Sequence, residues 1–539
     1  MPNETWDAPW ALVRGAQVHG VPGADALVSF GERIVAVGNA TALAEKFPVD
    51  REYDFGDAAL LPGFNDAHLH PAMVAEDLLH LDAASPDITS FDQLIARIEA
   101  AVHTKPVGDW IRVSRYDSER FADGRELTRQ VLDAIAPDHP VLAVHVSSHW
   151  GIVNSLGLAR AGVDASTPDP RHGAFGRDAD GALDGRVYEQ ALFDFAYPSM
   201  AVEGHTFVPA SSFAQRLDGL GRALDLFHAA GLTSLGDAMV GPADLALYQA
   251  ARARNRLTAR LNLLVIYRHL EKFVELGLLD GFGDNRLRIG GIKAFVDGAV
   301  AGRTCMVSEA FIGTDDHGMQ TLADDELTEV VDCAQRAGMR LAVHANGDRA
   351  IALLLDRLEL ASAKHPRPGL RHRIEHASII NDDLVARMAA LGAIAVPFAG
   401  YVAFHGDKLN RWYGQDRTSR MFAHRSLLDG GVTVAGSSDY PCGPYEPLLG
   451  IQSCVTRLGL DGAQVGIEQR ITIDEAIDMF TVGSALATGE QRDKGRLVRG
   501  HLADVVVLAQ HPSDVHTDEI AQIPVLATIV GGEPVWQRD

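Results

Sequence analysis

The stretch "LLPGFNDAHLHP" at residues 60–71 sets His68 and His70 two positions apart, directly after an apolar run. Side chains at i and i+2 of a strand project to the same side, so both imidazoles, with Asp66 on that side again, would face one point. Such a pair can begin a metal site, and it is also what an ordinary core strand with two incidental histidines looks like. Further donors from elsewhere in the chain decide between the two. Lys293 in "GGIKAFVDG", His344 in "LAVHANGD", His376 in "HRIEHAS" and Asp439 in "GSSDYP" offer them. Each lies inside or just after an apolar run, where an ionisable side chain is costly unless it is used. Together they form a nitrogen-and-oxygen donor set suited to a divalent metal.

These residues need a scaffold that brings distant strand ends together. Beyond about residue 213, apolar strand candidates alternate with helical patterns. Strands are expected at 232–238, 259–267, 287–298, 340–348, 372–378, 393–399 and 432–441. Between them stand segments such as "DDELTEVVDCAQRAG" and "NDDLVARMAALG", with polar starts and a glycine near the end. Adding "LLPGFNDAH" makes eight strands. The pattern predicts an α/β fold, a (β/α)8 TIM-type barrel whose site lies at the carboxyl ends of its strands. Residues of about 75–212 break the rhythm and read as a long insertion after the first barrel strand. The two chain ends share a texture of short strands and Gly-rich turns. They are expected to form one small β-sandwich from residues 1–62 and 488–539, with the barrel over 63–487.

Composition narrows the function. The 539 residues are 47% hydrophobic and 22% charged, an ordinary globular mix, with a net charge of −24. An acidic surface repels phosphate, so no nucleic-acid partner is expected. No apolar run of about 18 residues suggests a membrane span. The amino terminus has neither the basic nor the apolar region of a signal peptide. Cys305, Cys333, Cys442 and Cys454 are scattered, which suits reduced thiols in the cytoplasm.

Taken in order, "LPGFNDAHLHP", "IKAFVDGAVAGRT", "LAVHANGDRAI", "HRIEHAS" and "GSSDYP" resemble the amidohydrolase superfamily, in particular its YtcJ-like branch with the N-substituted formamide deformylases. The insertion's "HWGIVNSLGLARAG" and the terminal "GERIVAVG" and "KGRLVRGHLADVVVL" resemble the same branch. The resemblance implies a metal-dependent hydrolase of a carbon–nitrogen bond, an amide or formamide, acting through metal-activated hydroxide. His68 and His70 would bind one metal and His344 and His376 a second. Lys293 would bridge them as a carbamate, and Asp439 would bind metal and shuttle the proton. Burial favours the neutral lysine amine that such a carbamate needs. One metal, with Lys293 as a salt-bridged lysine, is the alternative. The donors suit zinc first, then iron or manganese. A deaminase, a cyclic amide or ester hydrolase and a non-catalytic barrel are the rival functions. The expected partner is a small amide-type molecule, with a homo-oligomer left open.

Around this centre, Arg303 and His149 are candidate substrate contacts. His149 and Trp150 would lie above the pocket, whereas His145, His149 and His172 are weak material for a second metal site. Asp297 is expected to bond within its own loop, Asp348 to cap the helix after it, and Glu375 to support the ligands from behind. Cys305 stands where a small residue is expected. The segment "PFAGYVAFHGDKLNRWYGQDR" is a candidate substrate lid.

Overall fold

A computed structural model describes residues 8–84, 88–121, 123–202 and 204–538. Its centre is an eight-stranded parallel sheet. The strands are β1 (Phe64–Leu69), β2 (Leu232–Val240), β3 (Arg260–Ile266), β4 (Leu287–Phe295), β5 (Leu341–Ala345), β6 (Arg373–His376), β7 (Ile394–Val396) and β8 (Thr433–Val434). Each pairs with its neighbour in sequence. β1, β3 and β5 are buried at every position, which fits strands covered by helices outside and packed side chains inside. Local signals stop the helices between strands. Asn381 caps Asp382–Leu391 by accepting from the Leu384 N–H, and Gly392 ends it at φ 63°.

The sheet closes on itself without a regular last ladder. Three backbone bonds join β1 to the segment just past β8. Ala67 N–H donates to Gly436 O at 3.0 Å, Asp439 N–H to His68 O at 2.9 Å, and His70 N–H to Tyr440 O at 3.0 Å. The TIM-type barrel read from the sequence is therefore present, and its seam runs through the residues singled out for chemistry.

Both chain ends contribute to two small sheets. One holds Trp10–Arg14, Ala26–Phe30, Arg33–Gly38 and Arg51–Asp54. The other joins Gln17–Val18 and Ala59–Pro62 to Val505–Leu508, Val525–Val530 and Glu533–Gln537. Val506 pairs with Leu61, and Val13, Leu27, Leu60, Val507 and Ile529 share one core. The run "LLPGF" thus serves two sheets, and the chain changes sheet at Gly63. A Cβ there would lie 2.3 Å from the Thr233 side chain, so the crossing needs glycine.

The insertion has a fold of its own. Leu81–Asp82, Ile111–Tyr116, Val141–His145, Trp150–Val153, Leu183–Glu189 and Gly173–Arg177 form a six-stranded sheet with two apolar cores beside it. Helix Phe213–Ala229, opened by a Ser212–Gln215 capping box, returns the chain to the barrel. No helix among the described residues is long and apolar enough to cross a membrane.

Barrel and small sheets are tied by a buried ion pair. Arg260 on β3 donates from Nε and an Nη to the two carboxylate oxygens of Asp504, at 2.6 and 2.8 Å. Burial raises the Asp504 carboxyl, but Arg260 outweighs it and holds the group below its ordinary pKa. Asp504→Ala leaves the Arg260 charge buried without its main partner. We expect a loss of about 3–5 kcal/mol, read as a lower urea midpoint; an unchanged midpoint would sink this role.

Candidate metal centre

His68 ends up on β1 with both ring nitrogens engaged. Nδ1 meets a Glu375 carboxylate oxygen in a short contact, and Nε2 lies 3.4 Å from Asp439 Oδ1 and 3.3 Å from Lys293 Nζ. Glu375 is anchored in turn by two 2.7 Å bonds from Arg373. Burial pushes the Glu375 carboxyl up, yet Arg373 and His68 hold it far below the usual range, so it is an anion. His70 follows the end of β1. Its Nε2 is 3.0 Å from Asp439 Oδ1, and its Nδ1 points towards Asp237, 4.0 Å away. Asp237 lies buried within β2 and accepts from the Met239 N–H and, in a short bond, from the Tyr248 hydroxyl. His68 and His70 therefore both turn Nε2 to Asp439, and Glu375 behind His68 fixes that ring.

Asp66 does not join them. It accepts from the backbone N–H groups of His68 and Ser438 at 3.0 and 3.2 Å, and so stitches the seam. Asp439, just past β8, sits at φ 54°, and His376, at the end of β6, at φ 70°. Non-glycine residues held in the left-handed region mark positions that the surroundings over-determine.

The second pair comes from adjacent strands. In the β5–β6 ladder Ala345 lies opposite His376, and the His344 and His376 ring centres are 4.6 Å apart. His376 is also 4.7 Å from His68 and stacks on Phe398 at 4.3 Å. His344 Nε2 lies between the Gly298 carbonyl at 3.0 Å and the Asn346 amide at 2.9 Å, which hold the ring. Lys293 projects from β4, is 1% exposed and makes no ion pair within 4.0 Å among the described residues. Its Nζ lies 3.3 Å from His68 Nε2, and Glu375 and Asp439 act on it electrostatically.

The protonation states suit a cation. Burial pushes His68 below the ordinary imidazole pKa and His344 and His376 well below it, which favours the neutral ring that a metal ligand requires. Burial lowers Lys293 to about 8. Asp439 is pushed up by burial but held well below its usual pKa by His376, His68 and His70, so it is ionised. Nδ1 of His70 and of His376 are buried without a hydrogen-bond partner. His68, His70 and Asp439 place donor atoms within 4.8 Å of one another, which fits a divalent metal; among the described residues no other His, Cys, Asp or Glu cluster does so.

The peripheral residues divide. His149 reaches in from the insertion and lines the pocket of the six candidate ligands; its Nδ1 meets Glu189 at 2.8 Å and its ring is 5.6 Å from His344. Arg303 is exposed and lines the neighbouring cavity, with Trp150 and Trp412. Trp150 stacks on His145 at 4.4 Å, and His172 lies 3.4 Å from Glu326. Asp297 accepts from the N–H groups of Asn346, Gly347 and Met306, as a loop anchor should. Asp348 does not cap its helix. Gly347 holds the cap position, and Asp348, one residue in, binds Ser308 instead. Cys305 is buried against the Tyr413 hydroxyl at 3.4 Å, and burial pushes its thiol pKa far up, so it is no nucleophile. The expected lid is a packed wall: Tyr401, Val402, Leu409 and Tyr413 of its short helices lie in a buried core, and Lys408 binds Asp117 of the insertion at 3.1 Å. Sequence reasoning missed Asp237, although an acid inside an apolar strand run was a readable signal. It also missed Met73, Phe193 and Tyr197, which line the pocket from helices and carry no motif.

The amidohydrolase family model matches residues 51–536. The chain is 31% identical to an N-substituted formamide deformylase of Arthrobacter pascens, over 96% of this chain and 95% of that protein. It is 30% identical to a putative amidohydrolase YtcJ of Bacillus subtilis, over 94% of each. Among solved structures, an uncharacterized metal-dependent hydrolase from Pyrococcus furiosus superposes with a TM-score of 0.71 at 25% identity, covering 93% of this chain and 99% of that one.

Glu375→Gln keeps the size of the side chain and removes the charge behind His68. Metal affinity should fall about 10–100-fold, the usual effect of losing such a support, measured by competition with a chelator on protein of unchanged circular dichroism. An affinity within about twofold of the parent, far below that range, would remove the role.

Proposed function

The chain belongs to the amidohydrolase family, and on that premise we propose that it hydrolyses a carbon–nitrogen bond other than a peptide bond, in an amide or an N-substituted formamide. The observation that carries this reading is the His68–His70–Asp439 cluster at the barrel mouth, whose donor atoms lie within 4.8 Å of one another, with the His68 imidazole pushed below its ordinary pKa by burial and Asp439 held well below its own. The name of the Arthrobacter pascens relative supports the formamide.

His68, His70 and Asp439 would hold one cation and His344 and His376 a second. Lys293, its pKa lowered to about 8, has neutral amine available near pH 7. That amine could add carbon dioxide and shed a proton, and the resulting carbamate would give Lys293 anionic oxygen donors for a cation. A divalent cation there, zinc first and iron or manganese with the same donors, supplies Lewis acidity that acidifies water and polarises a carbonyl. The chain's own residues do the rest. Asp439 accepts a proton from the attacking water and passes it to the leaving nitrogen, so that an amide and water become an acid and an amine. His149, oriented by Glu189, faces the substrate, and Phe193 and Tyr197 narrow the access of bulk water. The four cysteines are free thiols, which supports a cytoplasmic setting.

Asp439→Asn keeps the size and removes the base. Turnover of N-methylformamide should fall by about 10²–10⁴; a rate within about threefold of the parent, well under that range, would end the proton-shuttle role. Metal analysis tests the bridge. The parent should carry about two metals per chain by this ligand count, and Lys293→Ala should lose metal and activity together. About one metal per chain, with Lys293→Ala still active, would make Lys293 a structural residue.

A further inference from the structure

A wider cavity adjoins the pocket of the six proposed ligands, and His149 lines both. It offers about 280 Å³ of free space, against about 40 Å³ in the ligand pocket. The ligand pocket has room for a reacting group and little more, so the rest of a substrate must lie elsewhere. The wider cavity is walled by Trp150 and Tyr188 of the insertion, by Trp412 of the packed wall after β7, and by residues 301–304 of the loop after β4.

Its charged groups are unevenly matched. Arg186 donates to Glu126 at 3.1 Å, and Glu119 lies 3.8 Å from both Lys408 and Arg411. The two bordering carboxylates therefore have cations of their own. Arg303 makes no ion pair within 4.0 Å among the described residues. The backbone that carries it is nonetheless held. Arg303 sits at φ 51°, in a turn closed by its own N–H on Val300 O and by the Thr304 N–H on Ala299 O, both at 3.1 Å. A non-glycine residue keeps that conformation only where its surroundings enforce it. The Tyr413 hydroxyl donates to Val300 O at 2.8 Å, and Gly298 O, just before the turn, lies 3.0 Å from His344 Nε2. The loop that presents Arg303 thus also holds a candidate ligand, which fixes the spacing between them.

The direction of binding follows from Asp439, whose Oδ1 is 3.0 Å from His70 Nε2. A group that hands a proton to the leaving nitrogen must lie within hydrogen-bond reach of it, so the nitrogen lies on the His70 side. The wider cavity opens on the other side, past His149, whose ring is 5.6 Å from His344. The substituent of the acyl carbon is the one directed there. We propose that this cavity receives a carboxylate carried on the acyl half of the substrate, with Arg303 as its counter-charge and the aromatic walls covering the methylenes between. A guanidinium suits a carboxylate because two of its N–H groups match the two oxygens. The substrate class is then a monoamide of an aliphatic dicarboxylic acid. Water adds at the acyl carbon, the carbon–nitrogen bond breaks, and a dicarboxylate and an amine leave. This inference rests on the amide-hydrolase reading above and selects the amide over the formamide, whose acyl carbon bears only hydrogen.

Calorimetry on the metal-loaded parent tests it with N-methylsulfamoylpropanoate, an amide look-alike whose sulfur–nitrogen bond resists hydrolysis, against neutral N-methylpropanesulfonamide. The acid should bind about tenfold more tightly, the usual worth of a hydrogen bond between charged groups. Arg303→Gln should remove that advantage and Arg303→Lys should keep part of it. Arg303→Glu should reverse it, favouring the analogue with an ammonium in place of the carboxylate. The isomeric methanesulfonamidopropanoate, with its acid on the nitrogen side, should show no such gain. Equal affinity for acid and neutral compound, an advantage that survives Arg303→Gln, or an equal gain in the isomer would each overturn the proposal. Turnover separates the two readings. N-methylsuccinamate should exceed N-methylbutanamide in kcat/KM by about the same tenfold. Equal turnover of both would overturn the carboxylate site and leave the hydrolase standing. Arg303-dependent binding of the acid with no turnover of any amide would overturn the hydrolase reading and leave the carboxylate site standing.

Discussion

The barrel seam is the constraint on which the site depends. β1 and the segment after β8 are 371 residues apart where His68 O accepts from the Asp439 N–H, yet the bonds that close the sheet run between them. Closing the barrel and bringing His68 and His70 onto Asp439 are the same event. Asp66 reinforces it by accepting from backbone on both sides of the seam, and burial raises its carboxyl to about 7 despite those bonds. A carboxylate spent on backbone in this way cannot also be a ligand.

Electrostatics then sets what the seam can do. Lys293, Arg373, Glu375 and Asp439 are all buried, and each isolated charge would be costly. The cost is contained by pairing Arg373 with Glu375 and aiming Glu375 at His68, so that the ring is both turned and made a better donor. Lys293 is left without a carboxylate of its own, and burial moves it towards the neutral amine. Burial lowers the His68, His344 and His376 imidazoles in the same way. Low dielectric thus prepares a set of lone pairs and one carboxylate around a single point, before any cation adds its own field.

The insertion supplies what the barrel lacks. A bare barrel mouth would be open to water, whereas His149, Phe193 and Tyr197 descend from the insertion's own sheet and helices onto the ligand pocket. The same region walls the neighbouring cavity and, through Asp117, holds the wall of short helices after β7. The candidate ligands and most of the pocket wall over them therefore come from different stretches of chain.

Much of this was legible in the chain itself. Eight buried strands with polar punctuation are visible because parallel strands must be apolar on both faces and helices need caps. His68, His70, Lys293, His344, His376 and Asp439 stood out because ionisable groups at the ends of such strands are improbable by chance of packing alone. Glu375 was expected to turn away from the position of its neighbour His376, and it reaches across to His68 Nδ1 instead. Other features were decided only by the tertiary structure. Asp66 has the right spacing to be a ligand and is turned to the seam instead, since closure creates N–H groups that need an acceptor. Asp348 had the composition of a cap and lies one residue too far into its helix. The aromatic-rich segment after β7 had the make-up of a mobile lid and is a packed wall, because long-range contacts with the insertion bury it. Arg303 and His149 looked equivalent, yet His149 faces the ligands and Arg303 the neighbouring cavity. Strand period and burial cost are local, so sequence carries them; which partner satisfies a buried polar group is settled by segments hundreds of residues away, and only the closed fold determines it.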